Sequence, residues 1–117
     1  MPDPRKPDRG WQLYVDDMIE CMRKIQSYTK QTDKAAFIAN SLVYDATLRN
    51  LELIGEAATH IPEDIRDAHP EIPWRTVIAA RNRIIHGYLG IDDSLIWHMV
   101  ENSIPNLLPI LEDLQSS

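Results

Sequence analysis

Cysteine is almost missing from this sequence: Cys21 is the only one in 117 residues. An internal disulfide is therefore impossible, and a four-cysteine zinc site is excluded with it. A chain built without disulfides fits a reducing, cytoplasmic setting. Long apolar runs are missing too, and none approaches the ~20 residues that a membrane-spanning helix needs. The opening MPDPRKPDRG has no apolar stretch behind its charges, so it does not read as a secretory leader. No strand-length segment alternates apolar and polar residues with period two, the ordinary signature of a half-buried strand. There is no phosphate-binding Walker loop, no nucleophile elbow and no dinucleotide fingerprint. Positive charge is also scarce. Twelve Lys and Arg against 18 Asp and Glu give a net charge of −6, which argues against a surface made to coat polyanions.

What is present is ordinary for one globular domain, with 44% hydrophobic and 26% charged residues. Residues 1–9 read as a flexible arm, and residues 10–117 as a single domain. Trp11, Val15, Met18, Met22 and Ile25 recur at steps of four and three, which predicts a helix over about residues 9–30. Thr32 or Asp33 can cap a short helix through Ile38. Residues 41–60 predict a second long helix. Its apolar line is Leu42, Ala46, Leu53 and Ala57, with Val43, Asn50 and Ile54 beside it. Pro62 opens a short helix to Ala68, and HPEIP then breaks the chain. A helix from Pro73 to His86 follows, which Gly87 or Gly90 can end with positive φ. Asp92 or Asp93 caps a last helix that Pro105 and Pro109 must kink or divide. The class is all-α: an antiparallel helical bundle with short connecting helices.

The charge is uneven. Of the net −6, residues 72–91 contribute +3 from Arg75, Arg81 and Arg83, with no Asp or Glu among them, so the other 97 residues carry −9. The stretch RNRIIHGY, residues 81–88, concentrates the chemistry. Cations at a helix C-terminus suit the macrodipole, worth roughly 0.3–1 kcal/mol each, and that alone accounts for such a cluster. The residue types also suit a phosphodiester. An ordinary imidazole titrates near ~6.5 and can take or give a proton, while a guanidinium fork matches phosphate oxygens. RNA brings its own nucleophile, the 2′-OH, so neither a metal nor a protein nucleophile is required. On a helix Arg81 and His86 lie ~140° apart, with Asn82 ~40° from His86. They can flank a cleft with Asn82 between them, or meet their counterparts across the two-fold axis of a homodimer.

Asp45, Arg49, Glu52, Glu56 and His60 form one polar ridge on the helix before. Such a ridge is commonly a solvated, salt-bridged face; functionally, Glu52 or Glu56 would orient Arg81 or His86 from a facing helix. Glu56 and His60 are too few to hold a metal, and no HxxxH or HExxH accompanies them, so no metal site is expected. Cys21, Trp74 and Trp97 read as packing residues, and His60, His69 and His98 as surface or partly buried ones.

Arg81, four residues, His86, one residue, Tyr88 is similar to the RxxxxHxY signature of the HepT-like toxins, within the HEPN group of all-helical RNases. Residues 45–92 resemble that family throughout, including LRNLELIGEA ahead of the short helix and EIPWR leading into the motif helix. The resemblance implies a HEPN-like helical bundle that dimerises so that two motifs line a shared cleft. It implies a metal-independent endoribonuclease, the toxin of a toxin–antitoxin pair, acting on an RNA such as tRNA or mRNA. Arg81 would stabilise the scissile phosphate and His86 would be the general acid/base; Asn82, Arg83, Glu52 and Glu56 would support them. The implied partner is a minimal nucleotidyltransferase antitoxin, which uses ATP to place AMP on Tyr88; the toxin itself needs no cofactor. An alternative is a non-catalytic helical module that docks a nucleotidyltransferase.

Overall fold

The computed structural model describes residues 10–87 and 90–116. The segment 1–9, expected as an arm, lies outside the described residues, as do Tyr88, Leu89 and Ser117. The helices are α1 (Trp11–Thr29), α2 (Lys34–Ala39), α3 (Ser41–Thr59), α4 (Glu63–Ala68), α5 (Trp74–Ile85), α6 (Asp93–His98) and α7 (Ile104–Ser116), with a π-helical turn at Met99–Ser103 joining the last two. No strand occurs among the described residues, and the all-α class read from the sequence holds. None of these helices is long and apolar enough to cross a membrane.

α3 is the axis of the bundle, with α1 packed on one side and α5 on another, while α7 returns along α1. Of the periodic stripe of α1, Trp11 is only partly buried. Val15, Met18, Met22 and Ile25 are buried as their spacing predicts, at 1% exposure or less, with Ile19 buried beside them. Each such side chain contributes roughly 1.5–3 kcal/mol through burial. α3 corrects the expected apolar line. Asn50, Ile54 and Ala57 are buried as expected, but Leu42 is 80% exposed and Leu53 is 36% exposed, and Thr47, Leu51 and Ala58 are buried instead. The buried face is turned from the expected one because α3 must meet α1 and α5 together. Asn50 is tolerated there because its Nδ2 donates to the Ala46 carbonyl.

The caps follow the sequence closely. Asp33 accepts from Ala36 N–H at the start of α2, and Asp92 accepts from Ser94 and Leu95 N–H at the start of α6. Pro62 stands just before α4 rather than inside its first turn. Trp74 is buried, and its indole N–H is shared between the Arg66 and His69 carbonyls, which ties α4 to the start of α5. Trp97 packs against Phe37, and Cys21 lies in the core, both as expected.

The two prolines differ: the last helix is divided ahead of Pro105, as expected, but not at Pro109. Ahead of Pro105 the chain widens into the π turn, where Ile104 N–H reaches back five residues to the Met99 carbonyl. α7 then runs through Pro109 without a break. Both prolines are on the exposed side, so carbonyls that lose a donor can turn to water. α5 ends at Ile85 with His86 as its C-terminal cap; of the two glycines expected to supply positive φ, Gly90 does so, at φ 110°.

Candidate phosphodiester site

The site begins where α3 and α5 come closest. A Cβ on Gly55 would stand 2.2 Å from the Cβ of Arg81 and 3.1 Å from the Val77 carbonyl oxygen, so only glycine lets the two helices touch here. Arg81 consequently emerges along the flank of α3, its side chain 29% exposed, and meets Glu56 one residue beyond the contact. Its Nη2 is 2.8 Å from Glu56 Oε2. Its Nη1 donates to Asn82 Oδ1 at 3.0 Å, while its Nε is buried with no hydrogen-bond partner. Two anchors therefore fix the plane of the guanidinium fork.

Of the two candidate carboxylates on the ridge, Glu56 is the one that reaches the motif. Glu52 turns to Arg49 instead, at 3.5 Å. The other oxygen of Glu56 lies 3.3 Å from His60 Nε2, and the His60 ring stacks on Tyr14 with centroids 4.8 Å apart. Glu56 and His60 thus form a hydrogen-bonded pair rather than two ligands awaiting a third. Among the described residues no three His, Cys, Asp or Glu side chains gather to hold a metal ion. The chain Tyr14–His60–Glu56–Arg81 was not legible as a unit, because Tyr14 is on a different helix and only its apolar spacing was visible.

His86 sits at the other side of the helix end. It is exposed and lines a cleft of about 390 Å³ between the C-terminal end of α5 and α6, with Asn82, Arg83, Gly87, Asp92 and Met99 among its neighbours. Arg81 is not among the lining residues. Asn82 belongs to both halves, bonded to Arg81 and facing the cleft. Arg81 and His86 diverge with Asn82 between them, as the helical angles require. Within one chain, however, they do not flank a common cleft: His86 and Asn82 line it and Arg81 is turned onto α3. Tyr88, the third motif residue, lies outside the described residues.

The cleft wall across from α5 is held by its own anchors. Asp92 caps α6, and the Tyr44 phenol donates to the Asp93 carboxylate, joining α3 to the first turn of α6. Burial, and then that hydrogen bond with the negative charge of Asp93, push the Tyr44 phenol well above its ordinary range. Lys34 Nζ reaches Ser94 Oγ at 2.7 Å and adds a tie from α2.

Comparison with known proteins gives one consistent result. The model of the family described as ribonuclease HepT-like matches residues 18–114. "Probable ribonuclease HepT" of Thermococcus cleftensis is 36% identical over 107 residues, covering 92% of this chain and 97% of that protein. "Putative RNase MJ1380" of Methanocaldococcus jannaschii is 35% identical over 99 residues, covering 85% of this chain and 91% of that one. A similarly named RNase of Caldanaerobacter subterraneus is 34% identical over 94 residues, covering 80% and 84%. No solved structure gives a significant match. With a family model spanning residues 18–114 and relatives matched over nearly their full length, the chain belongs to the HepT-like ribonuclease family.

Proposed function

We propose that this protein is an endoribonuclease that cleaves RNA through Arg81 and His86, and that it is the toxin of a toxin–antitoxin pair. Membership of a ribonuclease family is the observation that carries the reading. The fixed fork of Arg81 beside the His86 cleft supports the assignment of roles. The ribose 2′-oxygen attacks the adjacent phosphorus, the bond from phosphorus to the 5′-oxygen breaks, and the products are a 2′,3′-cyclic phosphate and a 5′-hydroxyl. Arg81 stabilises the charge that builds on the phosphoryl oxygens. His86 moves the proton. One proton leaves the 2′-oxygen and another must reach the 5′-oxygen, so a homodimer with two His86 side chains facing one cleft supplies base and acid together. No step requires a metal or a cofactor in the toxin.

The partner in this reading is a minimal nucleotidyltransferase. It silences the toxin by letting the Tyr88 oxygen attack the α-phosphorus of ATP, with pyrophosphate leaving. The resulting phosphodiester and base stand two residues from His86 and compete for the place of the RNA phosphate.

Cleavage of RNA by the purified protein tests the first part. Arg81→Ala and His86→Ala are each expected to abolish it with helix content unchanged; wild-type rates in either variant would overturn the roles. Intact mass after co-expression with the nucleotidyltransferase tests the second. Added mass in units of AMP, absent from Tyr88→Phe, is the expected result, and an unchanged mass with an active partner would overturn it.

A further inference from the structure

Arg81 is turned onto α3, but the other two arginines of the acid-free stretch 72–91 are not. Arg75 and Arg83 are exposed, and neither has an ion pair among the described residues. At ~100° per residue, Arg75, Ala79, Asn82 and His86 share an arc of ~60°, and Arg83 lies ~60° from His86. This is the face of α5 directed away from α3, and all five residues are exposed. α5 makes its close helix packing with α3. Toward the C-terminal helices it leaves a groove of about 290 Å³, whose accessible apolar walls include Ala79, Ala80, Leu95 and Met99. That groove meets the His86 cleft at Ala80, Arg83, Leu95 and Met99.

We infer that this face of α5 is a track for single-stranded RNA, with Arg83 and Arg75 holding phosphates beside the scissile one and bases turned toward the apolar groove. The inference rests on the ribonuclease reading and extends it from the scissile bond to the flanking strand. Three observations select RNA as the occupant. The face carries cations without counter-ions on a protein that is otherwise acidic, it runs directly into the His86 cleft, and apolar surface lies beside it, as unstacked bases require. Arg75 stands eleven residues from His86, ~16 Å along the helix axis, which places its phosphate several nucleotides from the cleaved bond. The acidity elsewhere then confines binding to this line.

The test uses a single-stranded RNA carrying 2′-O-methyl groups, which binds but has no free nucleophile. Arg75→Gln is expected to weaken its binding about fivefold at low salt and to flatten the salt dependence by about 0.7 in the log–log slope, the loss of one phosphate contact. Lys30→Gln, an exposed cation on another element, is expected to change neither. Trimming the RNA at one end, and not at the other, should erase the Arg75 effect and so give the strand its direction. Unchanged affinity and slope in Arg75→Gln would overturn the track, as would an effect that survives trimming at both ends. A shift in the monomer–dimer equilibrium without loss of RNA binding would also overturn it, and would make this face a contact between copies. Cleavage of the unmodified RNA is scored separately: its absence in the wild-type protein would remove the ribonuclease reading, whatever the binding shows.

Discussion

Glu56 and Arg81 meet at 2.8 Å across the seam between α3 and α5, one residue from the point where Gly55 brings the two backbones together. The pair answers a question the sequence poses, how an arginine in an acid-free segment is kept in place. The counter-ion comes from the facing helix. Its second oxygen is held by His60, which stacks on Tyr14, so the carboxylate is itself oriented.

Removing that carboxylate should loosen the fork without unfolding the bundle, since both partners are partly exposed. Glu56→Ala is expected to lower kcat for RNA cleavage by about tenfold or more, because catalysis depends on the placing of the charged group. Glu56→Gln keeps an oxygen to accept from Arg81 and should retain more activity than the alanine variant. Steady-state kinetics of the two variants check this, and equal loss in both would point to charge rather than position.

Gly55 is the tighter constraint. Gly55→Ala puts a methyl group 2.2 Å from Arg81 Cβ, closer than any packed carbon pair tolerates, so α3 and α5 must separate. A cost of about 1–3 kcal/mol is expected, as for other overpacked contacts. Urea unfolding measures it. The same variant should lose RNA cleavage at temperatures where it remains folded, because Arg81 moves with α5.

Much of this was legible in the sequence, for identifiable reasons. The bounds of α1, α3 and α5 follow from periodicity and from the proline breaks, and Asp33 and Asp92 are caps that declare themselves locally. Leu42 and Leu53 misled because a wheel drawn for one apolar line does not know that α3 serves two neighbours. Glu52 and Glu56 could not be separated, since both belong to one ridge and the choice depends on where the helices touch. Gly55 decides that, and its role exists only in the packed pair. The π turn was hidden for the opposite reason: the prolines signal an interruption, but their exposed placement lets the helix absorb it.

Trp74 offers a check on how the motif helix is aimed. Its indole N–H is shared by the Arg66 and His69 carbonyls at 3.1 Å each, and its ring is buried at the first turn of α5. Trp74→Phe keeps most of the apolar contact but leaves those carbonyls without this donor. A loss of about 1–2 kcal/mol is expected in chemical denaturation, the scale of one buried hydrogen bond and its desolvation. Hydrogen exchange should rise in α4 before it rises in α1, because the lost bonds are the tie between α4 and α5.

Tyr44 gives the fold a pH dependence at the alkaline end. Its phenol is pushed up in the folded protein by burial, and then by the hydrogen bond to Asp93 and the negative charges nearby, whereas an unfolded chain leaves it near the ordinary 10.0. A raised folded-state value means that the stabilisation is complete below the ordinary phenol range. It is lost as pH climbs beyond 10, where the unfolded chain releases a proton that the folded one retains. Wild-type stability should therefore fall between pH 10 and 12, and Tyr44→Phe should fall less over that interval. Because the bond joins α3 to the first turn of α6, the phenylalanine variant should also loosen the cleft wall facing His86 at neutral pH. The expected sign is faster exchange of the Ser94 and Leu95 amides, with those of α1 unchanged.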